Sequence, residues 1–342
     1  MNNKREKTTK TNNQNDNTFE GGEEEQQRAL IQCAELVLPY LHQADLASTS
    51  LTCKALKNIS NFITLRRSSD ASRSCEDFPI PFINSIDNQA YSYFIYSPTQ
   101  ILSTAVQQQP WGYDPEARTD MINPVRCSDT FLFRVEGARW CECQRGCDRT
   151  SGCPCLDYVE FGAWECGPGC GCGSECGNRV SQRGILMKLK IVKDRRKGWG
   201  LHAAEFIRKG KFVCEYAGEL LLTKEAQSRQ QIYDKLALSP ALLVVKEHLP
   251  SRDLCMRMNI DATRVGNVAR FINHSCDGGN LATTLLRSSG SVLPRVCFFS
   301  SRDIQNDEEL SFSYGDTRLN NQGLPCFCGS SCCFGILPSE NT

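Results

Sequence analysis

Nine cysteines fall within thirty-six residues of this chain: Cys141, Cys143, Cys147, Cys153 and Cys155, then Cys166, Cys170, Cys172 and Cys176. Packing does not ask for such density. Tetrahedral zinc takes four ligands, so two separate four-cysteine sites would leave one sulfur over. Three zinc ions present twelve coordination positions, and nine thiolates fill them if three sulfurs bridge two metals each and six bind one each. The spacing therefore predicts a three-zinc cluster with all nine as ligands.

A disulfide-stapled secreted domain is the competing reading of so many cysteines. The residues from Met1 to Glu25 are polar and charged, without the apolar core of a signal peptide, and no stretch approaches membrane-spanning length. Reduced thiols are expected. A redox or DNA-binding zinc module fits poorly as well, because the chain has only four histidines and none stands at finger spacing behind the cysteines. The run Gly167-x-Gly169-x-Gly171-x-Gly173 imitates a dinucleotide fingerprint, but cysteines occupy two of its gaps and no apolar strand precedes it, so it reads as a metal-binding loop.

With 342 residues, 40% apolar and 23% charged, the chain has material for one large or two to three smaller globular units. Lysine plus arginine equals aspartate plus glutamate at 39 each, which gives no support for nonspecific nucleic-acid affinity. Residues 1–22 are rich in Asn, Lys, Thr and Gln and read as a disordered leader. Residues 23–65 read as a helical region. There Leu30, Ile31, Ala34, Val37, Leu38 and Leu41 recur at helical spacing, and Asp45 is placed to cap a second helix burying Leu56, Ile59, Phe62 and Ile63. A Ser, Arg and Asp stretch at 66–76 reads as a linker, and Pro79 to Asp87 opens a new unit. Tyr91 to Tyr96, Ile185 to Val192, Gly210 to Tyr216, Val296 to Phe299 and Leu310 to Tyr314 lean toward strand.

Four short stretches become informative together: Lys197-Gly198-Trp199-Gly200-Leu201, Glu215-Tyr216-Ala217-Gly218-Glu219, Arg270-Phe271-Ile272-Asn273-His274-Ser275-Cys276 and Glu309-Leu310-Ser311-Phe312-Ser313-Tyr314-Gly315-Asp316. In that order and spacing they resemble a SET domain, preceded by a nine-cysteine pre-SET module and followed by a post-SET tail. The resemblance is to plant suppressor-of-variegation-related histone lysine methyltransferases and covers about residues 79–333. It implies a mainly β chain with short helices, in which small β-sheets form a pseudoknot. The implied pre-SET module spans 77–184, the SET catalytic domain 185–317 and the post-SET tail 318–342.

The tail motif Cys326-x-Cys328-x4-Cys333 offers three thiolates for one more zinc. By resemblance the fourth is Cys276, so four zinc ions per chain are implied, with Cys332 competing beside the favoured Cys333. Cys33, Cys53, Cys75, Cys127, Cys214, Cys255 and Cys297 are left, with Cys332, as ordinary reduced thiols. Near the N-terminus, Leu36-Val37-Leu38-Pro39-Tyr40-Leu41 followed by Asp45-Leu46 and Cys53-Lys54 is similar to an F-box, which would imply a ubiquitin-ligase adaptor contact. A plain helical accessory domain is favoured over it, since apolar helical periodicity is common.

The implied reaction is in-line attack of a lysine amine on the sulfonium methyl of S-adenosyl-L-methionine, which needs no catalytic metal. At neutral pH a lysine with a pKa near 10.4 is neutral in about one molecule per thousand, a deficit of about 4 kcal/mol. An apolar aromatic channel recovers part of it, because burial disfavours the ammonium. The resemblance assigns Tyr216, Phe312 and Tyr314 to that channel, with Tyr314 as the catalytic tyrosine. It assigns Lys197, Gly198, Trp199, Tyr233, Arg270, Asn273 and His274 to the cofactor. Phe312, where the family has Phe or Tyr, leaves room beside the amine and favours products beyond monomethyl. Asp307, Glu308 and Glu309 suit a basic histone tail, although such a run is more often a solvated face.

The pattern departs from the family where Cys276-Asp277-Gly278-Gly279-Asn280 has lost a proline and gained a residue, which predicts a softer loop. Ser313 stands where aspartate is common, and Thr317 to Leu324 lacks an aromatic that commonly covers the cofactor. The implied function is methylation of histone H3 at its ninth-position lysine to repress chromatin, in the nucleus. The histone H3 tail or another basic protein is the implied partner, alongside a chromatin complex. Membrane contact is not expected, and direct nucleic-acid binding is unsupported. A weakly active or inactive chromatin scaffold, or methylation of a non-histone protein, remains as the alternative.

Overall fold

The computed structural model describes residues 28–103, 140–144, 146–147, 152–156, 163–236, 238, 240–248, 255–291, 293–315 and 324–338. The leader at 1–22, Cys127, Asp316 and residues 317–323 lie outside the described residues. The chain divides into two compact units, Met1–Arg66 and Arg67–Thr342. Among the described residues no helix is long and apolar enough to cross a membrane.

The first unit is helical. Residues 28–37 form α1, a 3-10 turn follows at Leu38–Tyr40, and α2 (Gln43–Ser50) and α3 (Lys54–Ser69) come next. Two details differ from the sequence expectation. His42 caps α2, its Nδ1 accepting from Ala44 N at 3.4 Å, while Asp45 sits inside the first turn, where its charge suits the positive helix end. The core is Leu38, Leu46 and Ile63 with Leu56 and Ile59 beside it, and Phe62 is left exposed.

Helix α3 runs to Ser69, into the stretch that reads as a linker. The rest of that stretch is also folded, because the Asp70 carboxylate accepts from Ser72 N, Ser72 Oγ, Ser74 N and Ile80 N. Side-chain capping of this kind leaves no apolar period to read, yet it buries Ala71 and Ser72.

The second unit is built from small sheets. In one, β1 (Phe82–Ile83) lies parallel to β5 (Leu189–Asp194), which makes a hairpin with β6 (Gly198–Ala203). In another, the order is β2 (Ile95–Tyr96), β10 (Cys255–Gly266), β8 (Gly218–Leu221) and β3 (Ile101–Leu102), with β9 (Leu242–His248) also on β10. A third runs β4 (Ala163–Glu165), β12 (Leu281–Ser288), β13 (Arg295–Ser300) and β7 (Phe212–Glu215). Helix α4 (Thr223–Lys235) follows β8. Alternate strand positions supply the main core, including Leu189, Ile191, Leu201, Val213, Ile260 and Phe298, and the segment before the cysteines adds Ile80, Phe82, Tyr91 and Phe94.

The smallest sheet is decisive for the site. β11 (Asn273–His274) pairs in parallel with β14 (Ser311–Phe312), in register Asn273 to Ser311 and His274 to Phe312. The chain from 308 to 312 is also hydrogen-bonded to β6, through Ala203 N to Glu308 O and Leu310 N to Leu201 O. It is thereby threaded between two earlier segments, the pseudoknot that the resemblance implies.

The cysteine-rich segment is tied to the third sheet. Gly167 and Gly290 admit close approach there: a Cβ on Gly167 would lie 1.9 Å from Ser289 O, and one on Gly290 1.9 Å from the Trp140 ring. Beneath this contact sits a buried ion triad. Arg295 donates to Glu165 at 3.0 Å and Glu215 at 3.3 Å, and Glu165 also accepts from Ser181 N, Ser181 Oγ and Gln182 Nε2. Burial pushes the Glu215 carboxyl up, and Arg295 opposes that shift. Removing the shared cation would leave two buried carboxylates with hydrogen-bond donors but no counter-charge. Arg295→Met is therefore expected to lose about 3–5 kcal/mol of unfolding free energy in a urea titration. A loss below about 1 kcal/mol, the level of a surface pair, would contradict the triad's role.

Candidate active site and metal centres

The nine clustered cysteines converge. Their sulfurs form three overlapping groups, Cys141-Cys153-Cys155-Cys166, Cys141-Cys147-Cys166-Cys172 and Cys141-Cys143-Cys147-Cys153, and within each group all lie within 4.8 Å of one another. Cys170 and Cys176 join them, at 3.7 Å from Cys155 and 4.0 Å from Cys166. A zinc tetrahedron with bonds of about 2.3 Å has sulfur-sulfur edges of about 3.8 Å. Neighbouring sulfurs here stand 3.6 Å (Cys141 to Cys147), 3.8 Å (Cys141 to Cys172) and 3.9 Å (Cys141 to Cys166) apart. A disulfide would need about 2.05 Å. The donor set fits zinc, and Cys141, Cys147, Cys153 and Cys166 each belong to more than one group, as bridging thiolates must.

Surrounding donors complete the cluster. Arg179 reaches Cys172 Sγ at 3.6 Å and the Gly167 carbonyl at 2.7 Å, Asn178 Nδ2 donates to Cys166 Sγ at 3.4 Å, and Ser289 Oγ to Cys155 Sγ at 2.9 Å. Nine thiolates with three zinc ions carry a net charge of roughly minus three, so a buried guanidinium beside them is electrostatically apt. Sequence reading missed Arg179; its place three residues after Cys176 was the available signal.

The second sulfur group is Cys276, Cys326, Cys328 and Cys333, again within 4.8 Å, with Cys276 and Cys326 at 3.8 Å. Residues fifty apart in the chain thus meet. Cys332 is exposed and turned to Ser330 Oγ at 3.1 Å, outside the group. Cys276 is followed by the glycine insertion, which is not loose. Gly278 and Gly279 both adopt positive φ (92° and 70°), and a Cβ on Gly279 would lie 2.3 Å from Ser311 O. Asn280 then fixes the loop by donating to Glu308 Oε1 and Glu309 O, while its Oδ1 accepts from Ser311 N.

The three aromatics line up across the pseudoknot. Ring centroids are 5.0 Å apart for Phe312 and Tyr314, 4.6 Å for Phe298 and Phe312, and 6.4 Å for Tyr216 and Phe298. Phe298 is a wall residue that motif reading missed. The Tyr314 hydroxyl donates to Ile272 O at 2.7 Å and that of Tyr216 to Ala241 O at 2.8 Å. Burial pushes both hydroxyls up, so both stay protonated at physiological pH.

His274 locks this arrangement. Its Nδ1 accepts from Tyr314 N at 3.1 Å, so the ring proton is assigned to Nε2, which faces Cys276 Sγ at 3.2 Å. Burial lowers its pKa and keeps it neutral.

The remaining residues expected at the cofactor gather around the β5–β6 turn and β11. Asp194 Oδ1 accepts from Arg196 N and Lys197 N, Gly198 takes φ 75°, and the Lys197 ammonium pairs with Glu309, which also accepts from Asn273 Nδ2 at 2.8 Å. Trp199 packs edge-on against Phe82 at 5.1 Å. Arg270 lies over Phe94 and Phe271 and donates to Thr263 O at 3.1 Å, and burial lowers its pKa. Trp199 Nε1, Arg270 Nε and Arg270 Nη1 are buried without hydrogen-bond partners among the described residues, donors that fit a polar ligand. Tyr233 sits apart from these contacts, its hydroxyl on Asp261 at 2.7 Å within an Arg229 ion cluster. Burial and Asp261 push it up to about 12. The acidic run is used internally: Asp307 pairs with Lys190, Glu308 with Arg302 and Glu309 with Lys197.

Comparison with known proteins agrees with this geometry. The SET domain family matches residues 198–315. Histone-lysine N-methyltransferase SUVR3 of Arabidopsis thaliana is 53% identical over 91% of this chain and 92% of its own length. The H3 lysine-9 specific histone-lysine N-methyltransferase SUVH5 of the same plant is 32% identical over 78% of this chain, which covers 32% of that longer protein. Among solved structures, Arabidopsis thaliana SUVH6 in complex with SAM has a TM-score of 0.60 at 29% identity, over 79% of this chain and 55% of that one. KRYPTONITE in complex with mCHH DNA, an H3(1-15) peptide and SAH has a TM-score of 0.57 at 26% identity, over 79% of this chain and 53% of that one. With its threaded β11–β14 pair, its two thiol assemblies and this similarity over nearly its whole length, the chain belongs to the plant suppressor-of-variegation-related SET-domain histone-lysine N-methyltransferases.

Proposed function

We propose that this methyltransferase acts on the lysine at position nine of histone H3, in nuclear chromatin, to repress it. The observation that carries the reading is the aromatic row Tyr216, Phe298, Phe312 and Tyr314 set against Asn273 and His274. Position nine draws its support from the relative named for H3 lysine-9 and from the related structure with an H3(1-15) peptide.

When bound, S-adenosylmethionine supplies an electrophilic methyl group on a cationic sulfur. The chain's residues do the rest. Aromatic walls disfavour an ammonium and so recover part of the about 4 kcal/mol needed to present a neutral amine. Tyr314, held protonated, orients that amine through its hydroxyl rather than taking its proton. Phe312 has no hydroxyl to hold a partly methylated amine back, so products beyond monomethyl are proposed. Lys197, Gly198, Trp199, Arg270, Asn273 and His274 hold the cofactor, whereas Tyr233, its hydroxyl engaged by Asp261, is left out of the set. Four zinc ions are part of the reading, three on the nine clustered thiols and one on Cys276, Cys326, Cys328 and Cys333. The helical unit is read as a plain accessory domain, with Leu36, Val37 and Tyr40 exposed on it.

Methyl transfer from labelled S-adenosylmethionine to H3 tail peptides tests the reading. The wild type should label a peptide carrying lysine nine and not one with arginine there, and Tyr314→Phe should lose about a hundredfold or more in kcat, the scale of a positioned catalytic hydroxyl. Labelling independent of lysine nine, or equal rates for both proteins, would contradict it.

The pH profile has a definite sign. The substrate amine must lose a proton, so log kcat/KM should rise with pH above about 7. Because burial raises the Tyr314 hydroxyl above its ordinary pKa, no downturn from its ionisation should appear below about pH 10. A bell with a descending limb near pH 8 that persists in folded enzyme would contradict this assignment.

A further inference from the structure

The geometry points to Glu309 as a positioning residue for the methyl donor, its carboxylate dictating which face of the Asn273 amide the site presents. The inference rests on the reading that Asn273 meets the cofactor.

Glu309 is pinned at its main chain. It bridges His202, its carbonyl accepts from Asn280 Nδ2 at 2.9 Å, and the next residue, Leu310, donates to Leu201 O at 2.8 Å. The carboxylate is correspondingly fixed, with Oε2 on the Lys197 ammonium and Oε1 accepting from Asn273 Nδ2 at 2.8 Å. Gly200 leaves the space for this contact, since a Cβ there would lie 2.9 Å from Glu309 Oε1 and 3.0 Å from Asn273 Nδ2. Three segments distant in the chain, the β5–β6 turn, β11 and the approach to β14, therefore meet on one carboxylate.

An ionised carboxylate only accepts hydrogen bonds. Facing it, the Asn273 amide must turn its NH2 inward and its Oδ1 outward, where no described residue engages it. The site is thus built to receive a donor, and S-adenosylmethionine carries one in its ammonium group. A glutamine at 309 would remove the constraint, because its amide can donate to Asn273 Oδ1 as readily as it accepts from Nδ2. Lys197 pairs with the other oxygen of this carboxylate and so leaves Oε1 to Asn273.

The test is calorimetric titration of the full chain with S-adenosylmethionine and with S-adenosylhomocysteine, which share the ammonium group, with thermal melting of every variant. Glu309→Gln should weaken both ligands about tenfold, the scale of a hydrogen bond to a charged group. Asn273→Asp, which leaves Glu309 untouched, should weaken them similarly by setting two acceptors face to face. The double variant Asn273→Asp with Glu309→Gln should recover to within about threefold of wild type, since the introduced amide donates to the introduced carboxylate and an acceptor again faces outward. A purely structural Glu309 would not yield that recovery. Unchanged affinity in Asn273→Asp, or a double variant no better than the singles, would overturn the role of Glu309 while leaving the site reading in place, provided Asn273→Ala binds weakly. Wild-type affinity in Asn273→Ala would overturn both.

Discussion

Two residues lying parallel to two others hold the functional part of this molecule together. A parallel pair as short as Asn273–His274 on Ser311–Phe312 has little stability of its own, and the thirty-odd residues between its strands must be ordered before it can form. Its neighbours compensate. Asn280 and Glu309 stitch the same crossing with side-chain hydrogen bonds, and Tyr314 N closes onto His274 Nδ1. Everything assigned to chemistry hangs from this crossing: the aromatic row leaves it on one side, and the turn residues around Lys197 reach it from the other.

Sulfur does elsewhere what apolar packing does in the sheets. The cysteine-rich segment has almost no described regular structure, and eight of its nine cysteines are buried. Metal held by these sulfurs, together with the buried Arg179, would neutralise such a group of thiolates. The same economy recurs at the C-terminus, where Cys276, two residues beyond His274, gathers thiols from the tail. The C-terminal thiol group, the neutral imidazole and the Tyr314 main chain are thereby linked through Cys276 and His274.

The sequence was legible where chemistry dictates residue type and spacing. Cysteine intervals disclosed the thiol groups that could hold metal, with Cys333 rather than Cys332 in the second, and four motifs disclosed the fold and the aromatic row. What stayed hidden depends on partners far apart in the chain. Glu309 looked like one member of a solvated acidic run, and its role emerges only when Lys197 and Asn273 are brought to it. The Arg295 triad joins residues up to 130 positions apart, and no local period marks them. Asp70 made a polar stretch resemble a linker because its hydrogen bonds leave no apolar signature. The glycine insertion after Asp277 looked like slack, whereas positive φ and the close approach to Ser311 make glycine the residue that the crossing requires.

The account's central claim is that thiol-held metal fastens the C-terminal tail to the crossing that carries the active site. Anomalous diffraction at the zinc absorption edge, on crystals of the full chain, tests it most directly. The account predicts four anomalous peaks, three amid the nine clustered sulfurs and one at about 2.3 Å from each of Cys276, Cys326, Cys328 and Cys333. A tail whose cysteines carry no peak, or a metal there that leaves Cys276 unbound, would contradict it.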